Sequence, residues 1–213
     1  MVSNPNTVCK TLFEKGLVTL DEITNLPDVT GFTFSEIHKE IAFTVEQQLA
    51  IDDLSTKLNS GEFSPTLLHG VTGSGKTEIY IEIVRQALAM NKSAILLLPE
   101  ISLTPQIAGR FRAVFGDQVA LWHSKLPHAA RAWTWKQICA GEFKVVIGAR
   151  SAVFAPLKNI GVIIIDEAHH INSDQIDKRL VSKVLSEVLL YSKNLRLILL
   201  TATPMFDKPS NII

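Results

Sequence analysis

The sequence predicts an α/β fold in which a parallel sheet lies between two layers of helices. From Phe43 onward, short apolar runs alternate with helical stretches. The runs are continuous rather than alternating, which is typical of strands that are buried on both faces. Helices between such strands are the usual crossovers of a parallel sheet. We therefore expect a three-layer parallel sheet.

The elements are predicted from these runs and from the capping residues beside them. Thr44 precedes the first helix as a candidate N-cap, with Gln47 near the helix start. The predicted helices are Val45–Leu58, Lys76–Met90, Thr104–Phe115, His128–Ala140 and one over about 174–191. The predicted strands are Thr66–His69, Ser93–Leu98, Val119–His123, Lys144–Gly148, Val162–Asp166 and Leu195–Thr201.

The first 40 residues differ from the rest because turn-forming residues interrupt them repeatedly. We predict only a short helix at Val8–Lys15, which Gly16 stops, and a strand at Leu17–Leu20. Such a segment is too small to bury its own core. We expect residues 1–40 to form an N-terminal remnant or linker and residues 41–213 to form one α/β domain.

Composition excludes several classes of protein. The chain has 213 residues with 21 Lys and Arg against 21 Asp and Glu, so a uniformly basic nucleic-acid binder is excluded and any such site must be local. A hydrophobic share of 46% excludes wholesale disorder. No apolar run approaches the length of a membrane span, so no membrane association is expected. Cys9 and Cys139 are far apart, which fits a reduced, cytoplasmic protein.

A glycine-rich segment carries the most specific signal. Residues 70–77 read GVTGSGKT, which matches the phosphate-binding pattern G-x-x-x-x-G-K-[ST] between a predicted strand and a predicted helix. Such a loop directs backbone N–H groups at phosphate oxygens, the lysine reaches the β- and γ-phosphates, and the last hydroxyl binds Mg²⁺. The sequence therefore predicts a P-loop NTPase with an ATP·Mg²⁺ site. Its residues are Gly70, Thr72, Gly73, Ser74, Gly75, Lys76 and Thr77.

An acidic pair follows the apolar run at 162–165. Asp166 would stand at the carboxyl end of a buried strand, which is the edge where parallel sheets bind ligands. We predict that Asp166 holds Mg²⁺ and that Glu167 polarises an attacking water. A second carboxylate beside the metal ligand indicates hydrolysis rather than transfer to a substrate.

Several stretches resemble a known family. DEAH at 166–169 and Thr201-Ala202-Thr203 resemble motifs II and III of superfamily 2 helicases. More specifically, the chain over about residues 1–168 resembles the PriA-type primosomal helicases that restart bacterial replication forks. The stretches that carry this resemblance are TLFEKGLV (11–18), LLHGVTGSGKTEIY (67–80), LLPEISLTPQIAGRF (97–111), WHSKL (122–126) and IGARSAVFAPLKNIGVIIIDE (147–167).

The resemblance implies a RecA-like helicase lobe 1, with DNA in single-stranded or forked form as partner. It implies that Gln47 reads the adenine edge, although a plain helix-start role for Gln47 is nearly as well supported. It implies that Thr104, Arg150 and Ser151 contact a strand's phosphates, with a surface salt bridge as the alternative for Arg150. His169, Thr201 and Thr203 would couple nucleotide state to the strand.

Other positions are more ambiguous. His123-Ser124 is a candidate strand-end contact, although a lone histidine is more often structural. Trp133 and Trp135 suggest base stacking, but at this spacing they cannot share a helix face, so we expect core packing for one of them.

The sequence departs from the PriA-type pattern after Glu167, where the expected aromatic stretch is missing and no aromatic residue occurs before Tyr191. Motifs of a second helicase lobe, with its arginine finger and zinc-binding cysteines, do not occur in the 213 residues. We therefore expect one lobe of a helicase that works with a second lobe and primosome proteins. Alone it would hydrolyse ATP slowly and not unwind duplex DNA. The alternatives are a stand-alone P-loop ATPase that acts as a nucleotide-controlled switch and an inactive helicase fragment.

Overall fold

The structure, a computed structural model, describes residues 42–71, 73–99, 104–168 and 194–201, with short pieces at 13, 15–16, 183, 186–187 and 190–191. Most of residues 1–40 and of the predicted helix over 174–191 therefore lies outside the described residues. The same holds for the predicted strand at 17–20. Within the first piece, the Gly16 N–H donates to the Phe13 carbonyl oxygen at 2.9 Å, at the place where the first helix was predicted to stop.

A parallel sheet of six strands forms the centre of the molecule. The strands lie in the order β1-β6-β5-β2-β4-β3, and every neighbouring pair is parallel. The predicted α/β fold with a parallel sheet is therefore confirmed. The strands are β1 Ser64–His69, β2 Ser93–Leu97, β3 Val119–Trp122, β4 Val145–Gly148, β5 Ile160–Ile165 and β6 Arg196–Thr201.

Four helices cover the sheet in the described part of the chain. They are α1 Val45–Ser60, α2 Lys76–Ala89, α3 Thr104–Phe115 and α4 His128–Ala140, and short 3-10 turns occupy Gly116–Gln118 and Arg150–Phe154. The predicted start of α1 is confirmed by a complete capping box, in which Thr44 and Gln47 each accept the other's backbone N–H. None of the described helices is long and apolar enough to cross a membrane.

The core divides into two layers, one on each face of the sheet. Along β5, Val162 and Ile164 pack with the residues of α1, α2 and α3, whereas Ile163 and Ile165 pack on the opposite face with α4 and the 150–154 turn. This alternation follows from the two-residue side-chain period of a strand. Burial of each such side chain stabilises the fold by about 1.5–3 kcal/mol.

Strand β1 is the exception to the prediction of strands buried on both faces. Its residues alternate between half-buried and exposed, and Leu67 keeps 51% of its surface exposed. The prediction was wrong here because, in the described part of the chain, only one face of β1 packs on the core, whereas the other outer strand, β3, is buried on both faces. The strand also begins two positions earlier than predicted, at Ser64.

The parallel arrangement brings the segments after the strands to one edge of the sheet. At the ends of the strands, His69 pairs with Thr201 and Ile165 pairs with Leu199. Leu97 pairs with Ile165 on one side and with Gly148 on the other. The loop after β1, the acidic turn after β5 and the segments after β2, β3 and β4 therefore lie along the same carboxyl edge. This edge is where the candidate site forms.

Candidate functional site

The glycine-rich loop connects β1 to α2 at the carboxyl edge. The Gly70 N–H donates to the Thr201 carbonyl oxygen at 3.3 Å, which fixes the loop to the end of β6. Inside the loop, the Ser74 N–H donates to the Val71 carbonyl oxygen at 3.2 Å. Gly75 then stands at the N-cap of α2 with φ 79°, in the left-handed region that favours glycine. The loop thus ends at a helix N-terminus, which favours anions.

Lys76 folds across this loop. Its Nζ donates to the carbonyl oxygen of Gly70 at 2.6 Å and to that of Val71 at 3.1 Å. The ammonium group therefore lies over the loop that would surround the phosphates in the predicted role. A bound phosphate could replace the two carbonyl oxygens as the partner of the ammonium group. The next residue, Thr77, is half-buried in the first turn of α2.

Gln47 links α1 to the glycine-rich loop. Its Oε1 accepts the Thr44 N–H at 2.9 Å as part of the capping box, and its Nε2 donates to the Ser74 carbonyl oxygen at 2.9 Å. An amide offers two donor hydrogens and two acceptor lone pairs. Each end of the Gln47 amide therefore retains capacity for one further bond, so the predicted adenine contact is compatible with both bonds and stays a prediction.

The acidic pair lies directly after β5. The Asp166 N–H donates to the Leu97 carbonyl oxygen at 2.9 Å, which continues the β5–β2 ladder by one residue and fixes the Asp166 backbone. Glu167 follows with φ 48°, a left-handed conformation that is uncommon for a residue other than glycine. Such backbone strain is concentrated at functional turns.

Tyr80 contacts the acidic pair from α2. Its hydroxyl donates to Asp166 Oδ1 at 3.2 Å, and the side chain is buried with only 2% of its surface exposed. Burial and, to a smaller extent, the Asp166 charge raise the pKa of Tyr80 far above its ordinary value, so the hydroxyl keeps its proton. Burial also raises the pKa of Asp166, and the Glu167 charge adds to this, while the Tyr80 hydrogen bond and Lys76 oppose it.

Tyr80 is not among the site residues that the sequence predicts. A signal was present, because Tyr80 lies one helical turn after Lys76 and so on the same face of α2. A tyrosine in an otherwise apolar helix face also needs a partner for its hydroxyl when it is buried. The identity of that partner depends on the pairing of distant strands, which the sequence pattern does not specify.

An ion pair between helices was also not identified from the sequence. Arg110 of α3 pairs with Glu78 of α2, whose side chain is largely buried. The two helices begin at the carboxyl edge, α2 at the glycine-rich loop and α3 at Thr104. The pair therefore connects the helix behind the glycine-rich loop with the helix that follows β2.

The predicted nucleic-acid contacts lie along the same edge. Arg150 and Ser151 open the 3-10 turn directly after β4, where Arg150 is half-buried and Ser151 is exposed. Thr104 is the first residue of α3, and only its backbone belongs to the described part of the chain. No surface salt bridge of Arg150 is observed among the described residues, so the alternative role predicted for it gains no support.

The tryptophans take different partners, as their spacing predicted. The Trp133 ring lies 5.9 Å from that of Phe143, and the Trp135 ring lies 5.3 Å from that of Trp122. The guanidinium carbon of Arg131 lies over the Trp122 ring, 5.6 Å from its centroid. Trp135 keeps 38% of its surface exposed and Trp133 is half-buried, so neither of them is fully buried in the core, contrary to the expectation for one of them.

His123 follows Trp122 at the end of β3. Its Nδ1 is buried and has no hydrogen-bond partner among the described residues. Burial, and to a smaller extent the nearby Lys125 charge, lower the pKa of His123, so the imidazole is held neutral. This neutral state means that His123 does not add a positive charge to the edge at neutral pH.

Three predicted site residues, Thr72, His169 and Thr203, lie outside the described residues. Thr201 is described and is buried at the end of β6, directly beside the glycine-rich loop. Among the described residues, no group of three or more His, Cys, Asp and Glu side chains is placed to hold a metal ion. Magnesium does not require such a group, because it is commonly bound by one or two protein oxygens together with substrate phosphates.

Comparison with known proteins identifies the family. Residues 40–206 match the family model described as "Type III restriction enzyme, res subunit". The Replication restart protein PriA of Bacillus subtilis (strain 168) is 45% identical over 160 residues, which are 75% of this chain and 20% of that protein. PriA of Haemophilus influenzae is 36% identical over 177 residues, which are 83% of this chain and 24% of that protein. The chain thus spans about a quarter or less of the length of these curated relatives.

Solved structures show the same fold. The helicase domain of Pyrococcus furiosus Hef superposes with a TM-score of 0.60 at 21% identity, covering 80% of this chain and 34% of that chain. RecG, in a structure bound to a three-way DNA junction, superposes with a TM-score of 0.63 at 22% identity, covering 78% of this chain and 22% of that chain. The sheet therefore has the RecA-like fold that these domains share, as predicted. The chain belongs to the family described as "Type III restriction enzyme, res subunit", and over 75–83% of its length it is similar to the PriA proteins, as the sequence resemblance predicted.

Proposed function

We propose that the chain is the ATP-binding lobe of an ATP-dependent DNA helicase or translocase that acts in replication restart. One observation carries the proposal. The sheet brings Lys76, at the start of α2, and Asp166, after β5, to one edge, where Tyr80 of α2 bonds directly to Asp166 at 3.2 Å. A cationic loop facing a metal-binding carboxylate is the arrangement that nucleotide hydrolysis requires.

The described residues divide between binding and chemistry. The N–H groups of the glycine-rich loop and the Lys76 ammonium would bind the phosphates, and Gln47 would bind the adenine edge. Thr77 and Asp166 would hold Mg²⁺, which neutralises charge on the phosphates when it is bound. Glu167 would accept a proton from a water as its oxygen attacks the γ-phosphorus, while the bond from that phosphorus to the ADP oxygen breaks.

The nucleic-acid part of the proposal rests on position and charge. Arg150 and Ser151 after β4, and the N-terminus of α3 at Thr104, present a cation, a hydroxyl and helix N–H groups along one edge. These groups suit phosphate oxygens and carry no base specificity. We expect single-stranded or forked DNA there, with Thr201, His169 and Thr203 coupling it to the nucleotide. A second helicase lobe, primosome proteins and a cytoplasmic location complete the proposal.

The experiment is a comparison of two lysine variants. Lys76→Ala removes the proposed phosphate contact, and Lys158→Ala, an exposed lysine before β5 at the opposite edge of the sheet, is the matched control. Nucleotide binding is measured by titration and by the rise in melting temperature, because a ligand that binds only the folded state must stabilise it. ATP hydrolysis is then measured with and without single-stranded and forked DNA.

We expect the unmodified chain to bind Mg²⁺·ATP, to hydrolyse it slowly and to turn over faster with DNA. Two unit charges 4 Å apart interact with about 4 kcal/mol at an effective dielectric constant of 20. Removal of the lysine should therefore weaken nucleotide binding by about 100-fold or more, and Lys158→Ala should leave it within about twofold. Equal affinities of the two variants would contradict the assigned phosphate site. ATP binding that controls the binding of a partner, without ATP hydrolysis, would favour the nucleotide-controlled switch. The absence of any stabilisation by ATP would favour an inactive fragment.

A further inference from the structure

We propose that Tyr80 is a positioning residue for metal binding: its hydroxyl holds one oxygen of the Asp166 carboxylate so that the other is presented to Mg²⁺ in a fixed orientation. This inference rests on the proposed nucleotide site and extends it to a residue outside the loop and the acidic pair. Tyr80 and Asp166 are 86 positions apart in the chain, and their bond of 3.2 Å forms only in the folded sheet.

The direction of the bond follows from the surroundings of the two groups. Tyr80 is buried to 2% exposure, and of a phenol and a carboxyl group in contact the phenol carries the proton, because it is ordinarily much the weaker acid. The tyrosine therefore donates and Asp166 accepts through Oδ1. Because the Asp166 N–H also donates to the Leu97 carbonyl oxygen, both the backbone and the side chain of Asp166 are held by hydrogen bonds. Partners of this kind orient metal ligands and contribute to metal affinity.

The bond also connects the two halves of the site. Tyr80 lies in the second turn of α2, the helix that begins at Lys76 and Thr77. The tyrosine side chain has only two rotatable bonds that orient its ring, so its hydroxyl has a well-defined position relative to α2 at a low cost in conformational entropy. Thr77 and Asp166, the two proposed magnesium ligands, are therefore held at a fixed relative position through a single side chain.

The alternative is that Tyr80 merely fills the core and satisfies its own hydroxyl. The two roles differ in what the hydroxyl affects. A core role predicts a change in stability alone, whereas a positioning role predicts a change in the Mg²⁺ concentration needed for nucleotide binding. Tyr80→Phe removes the oxygen and keeps the ring. The chain has two tyrosines, and Tyr191, with 82% of its surface exposed, supplies the matched control Tyr191→Phe.

The experiment titrates Mg²⁺ into each protein at a fixed concentration of a fluorescent, non-hydrolysable ATP analogue. We expect Tyr80→Phe to raise the Mg²⁺ concentration at half-saturation about tenfold, the lower end of the range for loss of a partner of a metal ligand. Affinity for the analogue in EDTA should stay within about twofold. Tyr191→Phe should match the unmodified chain in both measurements. In the Asp166→Ala background, Tyr80→Phe should have no further effect on the Mg²⁺ requirement, since its target is absent.

A second measurement does not depend on Tyr80→Phe. With 3-fluorotyrosine in place of tyrosine, the chain gives two ¹⁹F signals, which Tyr191→Phe assigns. The Tyr80 signal should shift when Mg²⁺ is added to the nucleotide complex, and the Tyr191 signal should stay unchanged. An unchanged Tyr80 signal, or equal Mg²⁺ requirements for the two phenylalanine variants, overturns the inference while the nucleotide site stands. Failure of the unmodified chain to bind the analogue at any Mg²⁺ concentration overturns the proposed function, and this inference with it.

Discussion

Replacement of Gly75 by alanine tests how the glycine-rich loop is held in the absence of any ligand. Gly75 adopts φ 79°, and a Cβ at this position would lie 2.3 Å from Gln47 Nε2. The left-handed conformation costs an alanine about 1–2 kcal/mol. The Gln47 side chain must also move away, which breaks its 2.9 Å hydrogen bond to the Ser74 carbonyl oxygen and costs about 1 kcal/mol more. We expect Gly75→Ala to lower the free energy of unfolding by about 2–3 kcal/mol.

Gly73 supplies the matched control. It has a similar φ of 82°, but a Cβ there would meet no atom within 4 Å. Gly73→Ala should therefore cost only the conformational part, about 1–2 kcal/mol. The difference between the two variants, about 1 kcal/mol, measures the contact between Gln47 and Ser74.

Urea unfolding at 25 °C without nucleotide gives these free energies, and both alanine variants are repeated in the Gln47→Ala background. There the difference between Gly75→Ala and Gly73→Ala should vanish, because the side chain that the new Cβ displaces is gone. A difference that persists at about 1 kcal/mol in this background, or equal costs of the two variants in the unmodified chain, would refute the reasoning about the loop.

Three further predictions concern catalysis, coupling and pH. Glu167→Gln should bind Mg²⁺·ATP within about twofold of the unmodified chain but release phosphate at least about 100-fold more slowly in a single turnover, since a general base contributes about 10²–10⁴; undiminished release would exclude the assigned role. Thr201→Ala should leave ATP binding intact and abolish the stimulation of hydrolysis by single-stranded DNA, and stimulation that survives in an ATPase assay would contradict the coupling role. Because the pKa of His123 is lowered in the folded state, its contribution to stability is present above about pH 6.5 and is lost as the pH falls below this value. His123→Asn should therefore reduce the fall in the free energy of unfolding between pH 7 and pH 5.5. The reduction should be less than about 1.4 kcal/mol per pH unit, the limit for a single group. Urea titrations at several pH values measure this dependence, and the same pH dependence in both proteins would contradict the assignment.

The sequence predicted the sheet well because strands buried on both faces leave a strong apolar signal. Strands β2 to β6 lie within the predicted runs or extend them by one or two residues. The prediction failed at β1, where burial alternates, because the sequence does not reveal which faces of the two outer strands are covered by other elements. Helices α3 and α4 have the predicted bounds.

The candidate site was predicted in its parts but not in its contacts. Lys76 and Asp166 belong to local motifs whose spacing is read directly from the chain. Tyr80 and Arg110 carry no such motif, and their partners depend on how α2 packs against β5 and α3. For Gln47, the sequence left a capping role and an adenine contact open. The observed capping box establishes the first role, and the second stays a prediction.

The sequence by itself determined which groups the chain offers: a glycine-rich loop with the phosphate-binding pattern, an acidic pair, and strand-end groups of the kind that suit a nucleic-acid backbone. These are local patterns, because the geometry of a turn or of a helix start depends on a few adjacent residues. The tertiary structure decided which of these groups meet. Only the strand order, with β6 between β1 and β5, sets Thr201 beside the glycine-rich loop and Asp166 within reach of Tyr80. Strand order is set by the packing of whole faces against one another, and that packing involves side chains that are distant in sequence.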